Sequence, residues 1–565
     1  MPYVKNLIKV KVPKRSGFDK SHRSSGTALC GTLVPLMCDE VIPSHRCSLR
    51  LPISVQMPPL VSETYMNVKY KVEAFFVPSR LLVGSFEDFF CDFPKTVGTY
   101  GSGTSGGSGV TVSDIRAALP VFQLEPSISS AFVAPGSLLD YLGFKVDTIA
   151  SAHRINPLPL VAYHLIWQEW YRNPRVQQRA FVEDLGSLTA FPSSANYRIS
   201  SMPYKYYHRA FTNINGTFPD NTVLSVNSTN ASDFLLADGK SIFELRQRNF
   251  GLDYFTGARV SAQQGNPSSV TINIPSGTDS AGGSTTVSIA ALRAANSLQQ
   301  FRERNNIPSS RLVDQVKARY GATLSDGIAQ RPICIGSATY DVVSRGVDQT
   351  APVSGSVTQP NPNPFSGVAS QYGRGGAAGS DFIINDFVSN EPGYIMVLGS
   401  LVPEVTYSSG IDPMFHHYLS DGSVTDMACS LLQNVGDQPI FSNELINATI
   451  PNQIVFGYTD RYADFMFKPN QCHGLMRAGQ SLDSFILQRG FLNATLSSSF
   501  LEIPTTYLDD VLTVASSNSG LSYWYDAYFI YKVSMPLAEY SIPSLQDPAY
   551  EHGSSVYLRR NGQIF

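Results

Sequence analysis

Seven basic residues stand within the first 23 positions, Lys5, Lys9, Lys11, Lys14, Arg15, Lys20 and Arg23, against the single acid Asp19. This segment carries +6 and leaves the rest of the chain at −9, within a formal net charge of −3. Cations gathered in this way neutralise phosphates without reading bases, and the plain alternative is a solvated chain end. The other groupings that could do chemistry are weaker. Asp238-Gly239-Lys240-Ser241 holds a Gly-Lys-Ser triplet, but a phosphate loop needs a glycine where Phe234 stands. His416 and His417, followed by Tyr418 and Asp421, form the one histidine cluster, and neighbours along a strand point to opposite faces, which argues against a shared metal. Asp509 and Asp510 meet the same objection unless they lie in a turn, where adjacent carboxylates are ordinary solvated groups. Cys30, Cys38 and Cys47 have spacings that match no zinc pattern. With Cys91, Cys334, Cys429 and Cys472 they form an odd set without CxxC, expected as reduced, mostly buried thiols with no disulfide framework. No nucleophile elbow, HExxH helix, EF-hand loop or dinucleotide fingerprint is present. The expectation is no catalytic residue, no cofactor and no metal.

The elements that must carry these residues are mainly strands. Residues 66 to 77 alternate, with Val68, Tyr70, Val72, Ala74 and Phe76 on one face and Lys69, Lys71 and Glu73 on the other, which predicts a half-buried antiparallel strand. The same period of two places Tyr523, Tyr525, Ala527, Phe529, Tyr531 and Val533 on one face near the other end of the chain. Shorter strand-like runs lie at 27–38, 47–57, 394–402 and 484–492. Helical spacing is confined to the middle. Leu160, Tyr163, His164, Trp167 and Trp170 make an apolar stripe on which the histidine and tryptophans read as packing groups. Two more helices are predicted at Ile289 to Asn305 and Arg311 to Tyr320. Their bases Arg293, Arg302, Arg304, Arg311, Lys317 and Arg319 outnumber Glu303 and Asp314, giving a second positive surface or simply a solvated face. Low-complexity stretches at 98–109, 276–288 and 351–380 read as loops inside the fold, because strands resume on both sides.

Composition sets the class. The chain has 565 residues, 43% hydrophobic and 15% charged, and a length prior of ~150 residues per domain would divide it into three or four. Charge well below the ~25% of average domains, with 11% aromatic residues, suits a surface largely covered by subunit contacts, or a large monomer with a big core. Collagen-like and wholly disordered classes are excluded by ordinary glycine and proline usage. The longest apolar run, around Tyr394 to Val402, is broken by Gly399 and Ser400, so no membrane insertion is expected. Lysines scattered through the N-terminus argue against a signal peptide.

Ordered blocks along the chain resemble the major capsid proteins of the Microviridae, small single-stranded DNA bacteriophages, in the gokushovirus-like branch. They are Phe18-Asp19-Lys20-Ser21-His22, Val34-Pro35-Leu36, Asp39-Glu40-Val41-Ile42-Pro43, Met57-Pro58-Pro59-Leu60-Val61 and Phe75-Phe76-Val77-Pro78-Ser79-Arg80-Leu81-Leu82. In the same order follow Gln168-Glu169-Trp170-Tyr171-Arg172, Asp253-Tyr254-Phe255-Thr256, Gln330-Arg331-Pro332, Phe456-Gly457-Tyr458-Thr459-Asp460-Arg461-Tyr462-Ala463 and Lys468-Pro469. Val83 and Ser79 depart from the family's common Trp and Asn. The resemblance implies an eight-stranded antiparallel jelly-roll sandwich with long loop insertions containing helices. It also implies a T=1 icosahedral homo-oligomer of sixty copies around circular single-stranded DNA, a virion location, and synthesis in the host bacterial cytoplasm. A small basic DNA-binding protein, scaffolding or vertex proteins and a host-surface receptor are further partners it suggests.

The expected organisation is a basic arm at 1–25 and one jelly-roll domain at 26–565 with large insertions, including 84–390. Within these, 212–240 and 265–288 are candidate surface protrusions. Two rival readings stand beside it. One is a β-sandwich spike binding a receptor or glycan through its many Tyr and Trp residues; the other is a sandwich hydrolase pairing Glu169 with a distant acid.

Overall fold

The computed structural model describes residues 7–11, 15–61, 64–65, 67–82, 86, 90, 94–96, 114–116, 121–124, 126, 128, 130–146, 148–181, 223–226, 236, 238–262, 289–306, 311–349, 371–415, 437–447, 454–512, 520–537 and 555–559. Nine strands form the framework: β1 (Ser16–Asp19), β2 (His22–Ala28), β3 (Val34–Val41), β4 (His45–Gln56), β5 (Val68–Pro78), β6 (Ile333–Gln349), β7 (Gln371–Ser389), β8 (Gly393–Pro403) and β9 (Tyr523–Met535). One sheet runs β3-β8-β5-β6 and the other β6-β7-β4-β9, with β1 and β2 both paired to β9, and every pairing is antiparallel. β3 pairs β8, β4 pairs β7 and β5 pairs β6, so the pairs nest from the outside of the chain inwards. Nested pairing is how a jelly roll is wrapped. With β2 paired to β9 outside them, the described strands supply all four of the nested pairs that eight strands make.

The two sheets are joined through β6. It pairs β5 from Ile333 to Val342 and β7 from Val343 onward, with a register shift between Cys334 and Gly336. β7 has two more shifts, Gly379/Phe382 and Ile384/Phe387, and Asp386 there takes a φ of 57°. Extra residues of this kind bend a strand and let it leave one sheet for another. The expected loop at 351–380 is therefore corrected for residues 371–380, which are the first half of β7; 351–370 lie outside the described residues. Gly379 is there because a neighbour crowds the backbone. A Cβ on Gly379 would meet the Tyr340 ring, and Tyr340 in turn accepts the Phe382 amide at 3.1 Å.

Alternation sets the core. The six β9 residues predicted to share a face are all within 4% of full burial, while Tyr528 between them is 49% exposed. They pack with Leu49, Leu51, Ile53 and Val55 of β4 and Tyr70 and Val72 of β5. The β5 prediction needs correction on its second face. Lys69 stays at the surface beside Glu404, and Lys71 is half-buried at the wall of a cleft; Glu73 is bound by Arg248 and Tyr171, and Phe75 and Val77 enter a second core. That second core exists because helix α1 (Leu158–Ile166) lies over the outer face of the first sheet, packing Leu158, Val161 and Leu165 against Phe75, Met396 and Leu398. A strand covered by a helix on one side and a sheet on the other loses its polar face.

The chain between β5 and β6, residues 79–332, is the long insertion. The expected 84–390 also takes in 333–349 and 371–389, which belong to the sheets. It holds α1, a three-stranded sheet of Val121–Leu124, His153–Ile155 and Val223–Val226, and helices α2 (Ile289–Asn306) and α3 (Leu312–Tyr320). α2 and α3 match their predicted spans. The run at 484–492 is not a strand; it makes isolated bridges through Ile486, Arg489 and Phe491 after a tight turn at Asp483–Phe485. Of the two candidate protrusions, 265–288 and most of 212–240 lie outside the described residues.

Candidate nucleic-acid interface

The seven basic residues of the N-terminal segment meet different fates. Lys5 and Lys14 lie outside the described residues. Lys9 and Lys11 sit in a strand, Leu7–Lys11, that pairs antiparallel with Ser555–Arg559, placing Lys9 opposite Tyr557 and Lys11 opposite Ser555. Arg15 is exposed and donates Nη2 to the Ser534 carbonyl at 2.9 Å. Lys20 and Arg23 are engaged by acids. Lys20 Nζ reaches both Asp39 oxygens at 2.5 and 2.6 Å and stands 5.7 Å from the Tyr531 ring centre. Arg23 grips Asp526 with two parallel bonds of 2.6 and 2.5 Å, and Ser25 adds a third donor at 2.7 Å. Hydrogen bonds from Arg23 and then Ser25 hold the Asp526 carboxyl down at about 2. Both cations belong to β1, β2 and the turn between them, which pair with β9 along its length.

Beneath this edge is a polar chain. Tyr531 donates to Asp39 at 3.0 Å, and the buried His45 places Nε2 3.0 Å from the same hydroxyl. The hydroxyl's proton goes to the carboxylate, so His45 must donate from Nε2. Burial lowers its pKa, against the smaller opposing pull of Asp39.

The other groupings read from sequence are structural. Asp238-Gly239-Lys240-Ser241 is a turn with Gly239 at φ 84°, whose Asp238 pairs with the buried Arg246 and whose Lys240 faces Glu502. His164 is a packing residue as expected. Its Nε2 lies 2.7 Å from the Ile242 carbonyl and its Nδ1 accepts from Arg246 Nε at 2.8 Å, so both partners require the neutral tautomer with the proton on Nε2. Arg246 also lies over Trp167, 4.4 Å from its ring centre. Asp509 and Asp510 fall in a turn, and His416, His417, Tyr418 and Asp421 lie outside the described residues. Glu169 faces Gln168 at 3.3 Å. Cys30 and Cys47 are buried, Cys38, Cys334 and Cys472 are free thiols with them, and burial pushes Cys38 and Cys47 up to about 12. Of the helical bases, Arg293, Lys317 and Arg319 are exposed, and Arg319 caps the Phe301 ring at 5.1 Å, tying α3 to α2.

Sequence reasoning missed two features. Glu444 is 6% exposed; burial raises its carboxyl to about 8, although the Phe441 amide donates to it at 2.9 Å. The other is a cationic cleft assembled from Lys71, Arg172, Arg175, Arg248 and Arg311. These residues come from four separate stretches of chain, so no local charge run signals them.

The described residues form a β-sandwich wrapped in nested pairs, with a long insertion between two of its strands and a group of clustered cations beside it. The family model described as "Capsid protein (F protein)" matches residues 7–545, and the chain belongs to that family. It is 27% identical to capsid protein VP1 of Chlamydia phage 1, covering 94% of this chain and 96% of the relative. VP1 of Spiroplasma virus 4 is 25% identical and VP1 of Bdellovibrio phage phiMH2K 23%, each over 94% of this chain and 95% of the relative. The chain is thus a structural major capsid protein of the small single-stranded DNA phages, a virion component that assembles with copies of itself. The spike reading finds no support.

Proposed function

We propose that the chain closes into a sixty-copy T=1 shell around circular single-stranded DNA, with the sandwich as wall. The DNA-facing charge of the N-terminal segment is concentrated in Lys5, Lys9, Lys11, Lys14 and Arg15. The observation that carries this is the partition of charge at the β9 edge: Lys20 and Arg23 are matched by Asp39 and Asp526, while Arg15 is exposed and held by a carbonyl and a hydroxyl. Cations whose charge is not spent on the fold supply the sequence-independent attraction a genome container needs. On this reading 1–15 acts as the arm and the remainder as one domain. The polar stretches 212–240 and 265–288 form the outward protrusion that meets the host receptor. Synthesis occurs in the host cytoplasm, scaffolding or vertex proteins and a small basic DNA-binding protein join assembly, and no catalytic step is required.

Replacing Lys9, Lys11, Lys14 and Arg15 together by glutamine tests the reading. The expected result is particles of normal size and thermal midpoint holding less nuclease-protected DNA. Full DNA content in well-formed variant particles overturns it.

A further inference from the structure

Helices α2 and α3 stand apart from both hydrophobic cores, and no residue of either enters them. α3 has no buried residue, and none of the described side chains of α2 is buried. A helix in water draws most of its stability from an apolar face laid against something else. At 18 residues α2 is about 27 Å long, from ~1.5 Å per residue, and its own chain leaves that face open.

Such a face is present. Ala291, Ala294, Leu298 and Phe301 recur at spacings of three and four, which sets them in one row along the helix. Ala294 is exposed, and Leu298 and Phe301 are 44% and 49% exposed. Arg319 of α3 lies 5.1 Å from the Phe301 ring centre and covers only part of that ring.

The chain assembles with copies of itself, and the row is complementary to itself. Two copies of α2 laid antiparallel across a twofold axis level with Asn296 set Ala291 of each against Phe301 of the other, and Ala294 against Leu298. Every layer then joins a small side chain to a large one, which is how facing positions fill a helix interface without gaps. Parallel pairing sets Ala on Ala and Phe on Phe, and brings the two copies of Arg302, beside the row, to one level. In the antiparallel pair each Arg302 is level with Ala290 of the other copy, about 18 Å along the axis from the second Arg302 at ~1.5 Å per residue. That exceeds the screening length of about 8 Å in physiological salt. Size and charge therefore select the same arrangement.

We infer that α2 is a contact between two copies of this chain across a twofold axis, made antiparallel through Ala291, Ala294, Leu298 and Phe301. A twofold contact uses the same patch on both copies, so one self-complementary row is enough. About three turns of helix bury less than the ~1,200 Å² of a free-standing complex, so the contact works inside the assembled particle as one among several. It requires only that copies of the chain assemble, whatever number closes the shell and whatever it encloses.

Ser297 lies next to the centre of the pair, with its two copies about 9 Å apart between Cα atoms when helix axes are ~8–10 Å apart. Particles carrying Ser297→Cys, purified from infected cells and treated with a short bismaleimide, are expected to yield covalent dimers well above the background that wild-type particles give through their native thiols, and no larger species. Ala294→Glu puts a carboxylate into the row at an exposed site. The unassembled variant should keep its thermal midpoint within about 1 °C, while the yield of particles falls at least tenfold. Ser297→Cys particles that cross-link no more than wild type overturn the inference, as do trimers or a ladder of products, which would place α2 at another axis. Normal particle yield from Ala294→Glu overturns it too; if those particles hold less DNA, the row lies against nucleic acid and not against a second copy.

Discussion

His164 and Glu444 show how a single buried group gives the capsid protein a pH profile. Burial, then the Arg246 charge, holds the His164 pKa well below its ordinary 6.5, so the native ring stays neutral while the unfolded chain takes up a proton below that value. His45 shifts in the same direction. Both therefore cost stability as pH falls below about 6.5, by up to ~1.4 kcal/mol per pH unit per group. Glu444 acts oppositely: raised from 4.5 to about 8, it is protonated in the native state and ionised in the unfolded one between those values. Its contribution is fully present below 4.5 and is lost as pH rises to 8. Together the three groups place the optimum near pH 6.5, and thermal midpoints of the unassembled chain measured from pH 5 to 8.5 should peak there. Glu444→Gln should flatten the alkaline side and steepen the acidic side, because the Glu444 contribution falls across the whole window from 4.5 to 8; an unchanged alkaline slope would show that Glu444 titrates normally. None of this was legible beforehand. His164 was readable as a packing group because it falls on an apolar helical stripe, but Glu444 is one acid among many until Phe441 and Tyr254 close over it.

At the scale of elements, alternation in β9 was legible because a strand with one face on a core obeys a period of two whatever it pairs with. Phe529 is fully buried and Tyr528 half-exposed, so the two make an internal comparison. Phe529→Ala should cost about 3–5 kcal/mol in chemical denaturation, while Tyr528→Ser should stay within about 0.5 kcal/mol. Equal effects would mean that β9 is rotated or shifted by one residue. β5 was only half legible: Glu73 read as solvent-facing, and Arg248 and Tyr171 of the insertion close over it. β7 was hidden by composition, since its glycine-rich first half reads as a loop until the Tyr340 ring is seen lying where a Cβ of Gly379 would sit. Run 484–492 failed for the converse reason; apolar residues there pack around Arg489, whose guanidinium lies 4.4–4.8 Å from the rings of Phe250, Phe491 and Phe500.

At the scale of the molecule, low charge and many aromatics pointed to extensive subunit contact, and the structure leaves apolar groups on several faces to meet it. Phe415, Phe465 and Phe467 are 66%, 51% and 63% exposed, and Leu292, Leu312 and Tyr320 stand out from α2 and α3. A closed shell needs several different contact surfaces on each copy. Sixty copies of a 61.7 kDa chain amount to about 3.7 MDa. Light scattering on particles purified from infected cells should return that shell mass plus the packaged DNA, with a nucleic-acid-rich 260/280 nm absorbance ratio. A stable monomer or trimer free of nucleic acid would contradict the assembly. What the sequence determined by itself was everything that depends on local periodicity and ordered blocks: the β class, the span of each middle helix, the basic segment and the family. Which charges are spent within the fold, which strands lose their polar face, and where five distant cations converge depended on contacts between residues up to hundreds of positions apart. Only the tertiary structure brings those together, because pairing and burial are properties of neighbours in space and a one-dimensional pattern carries no record of them.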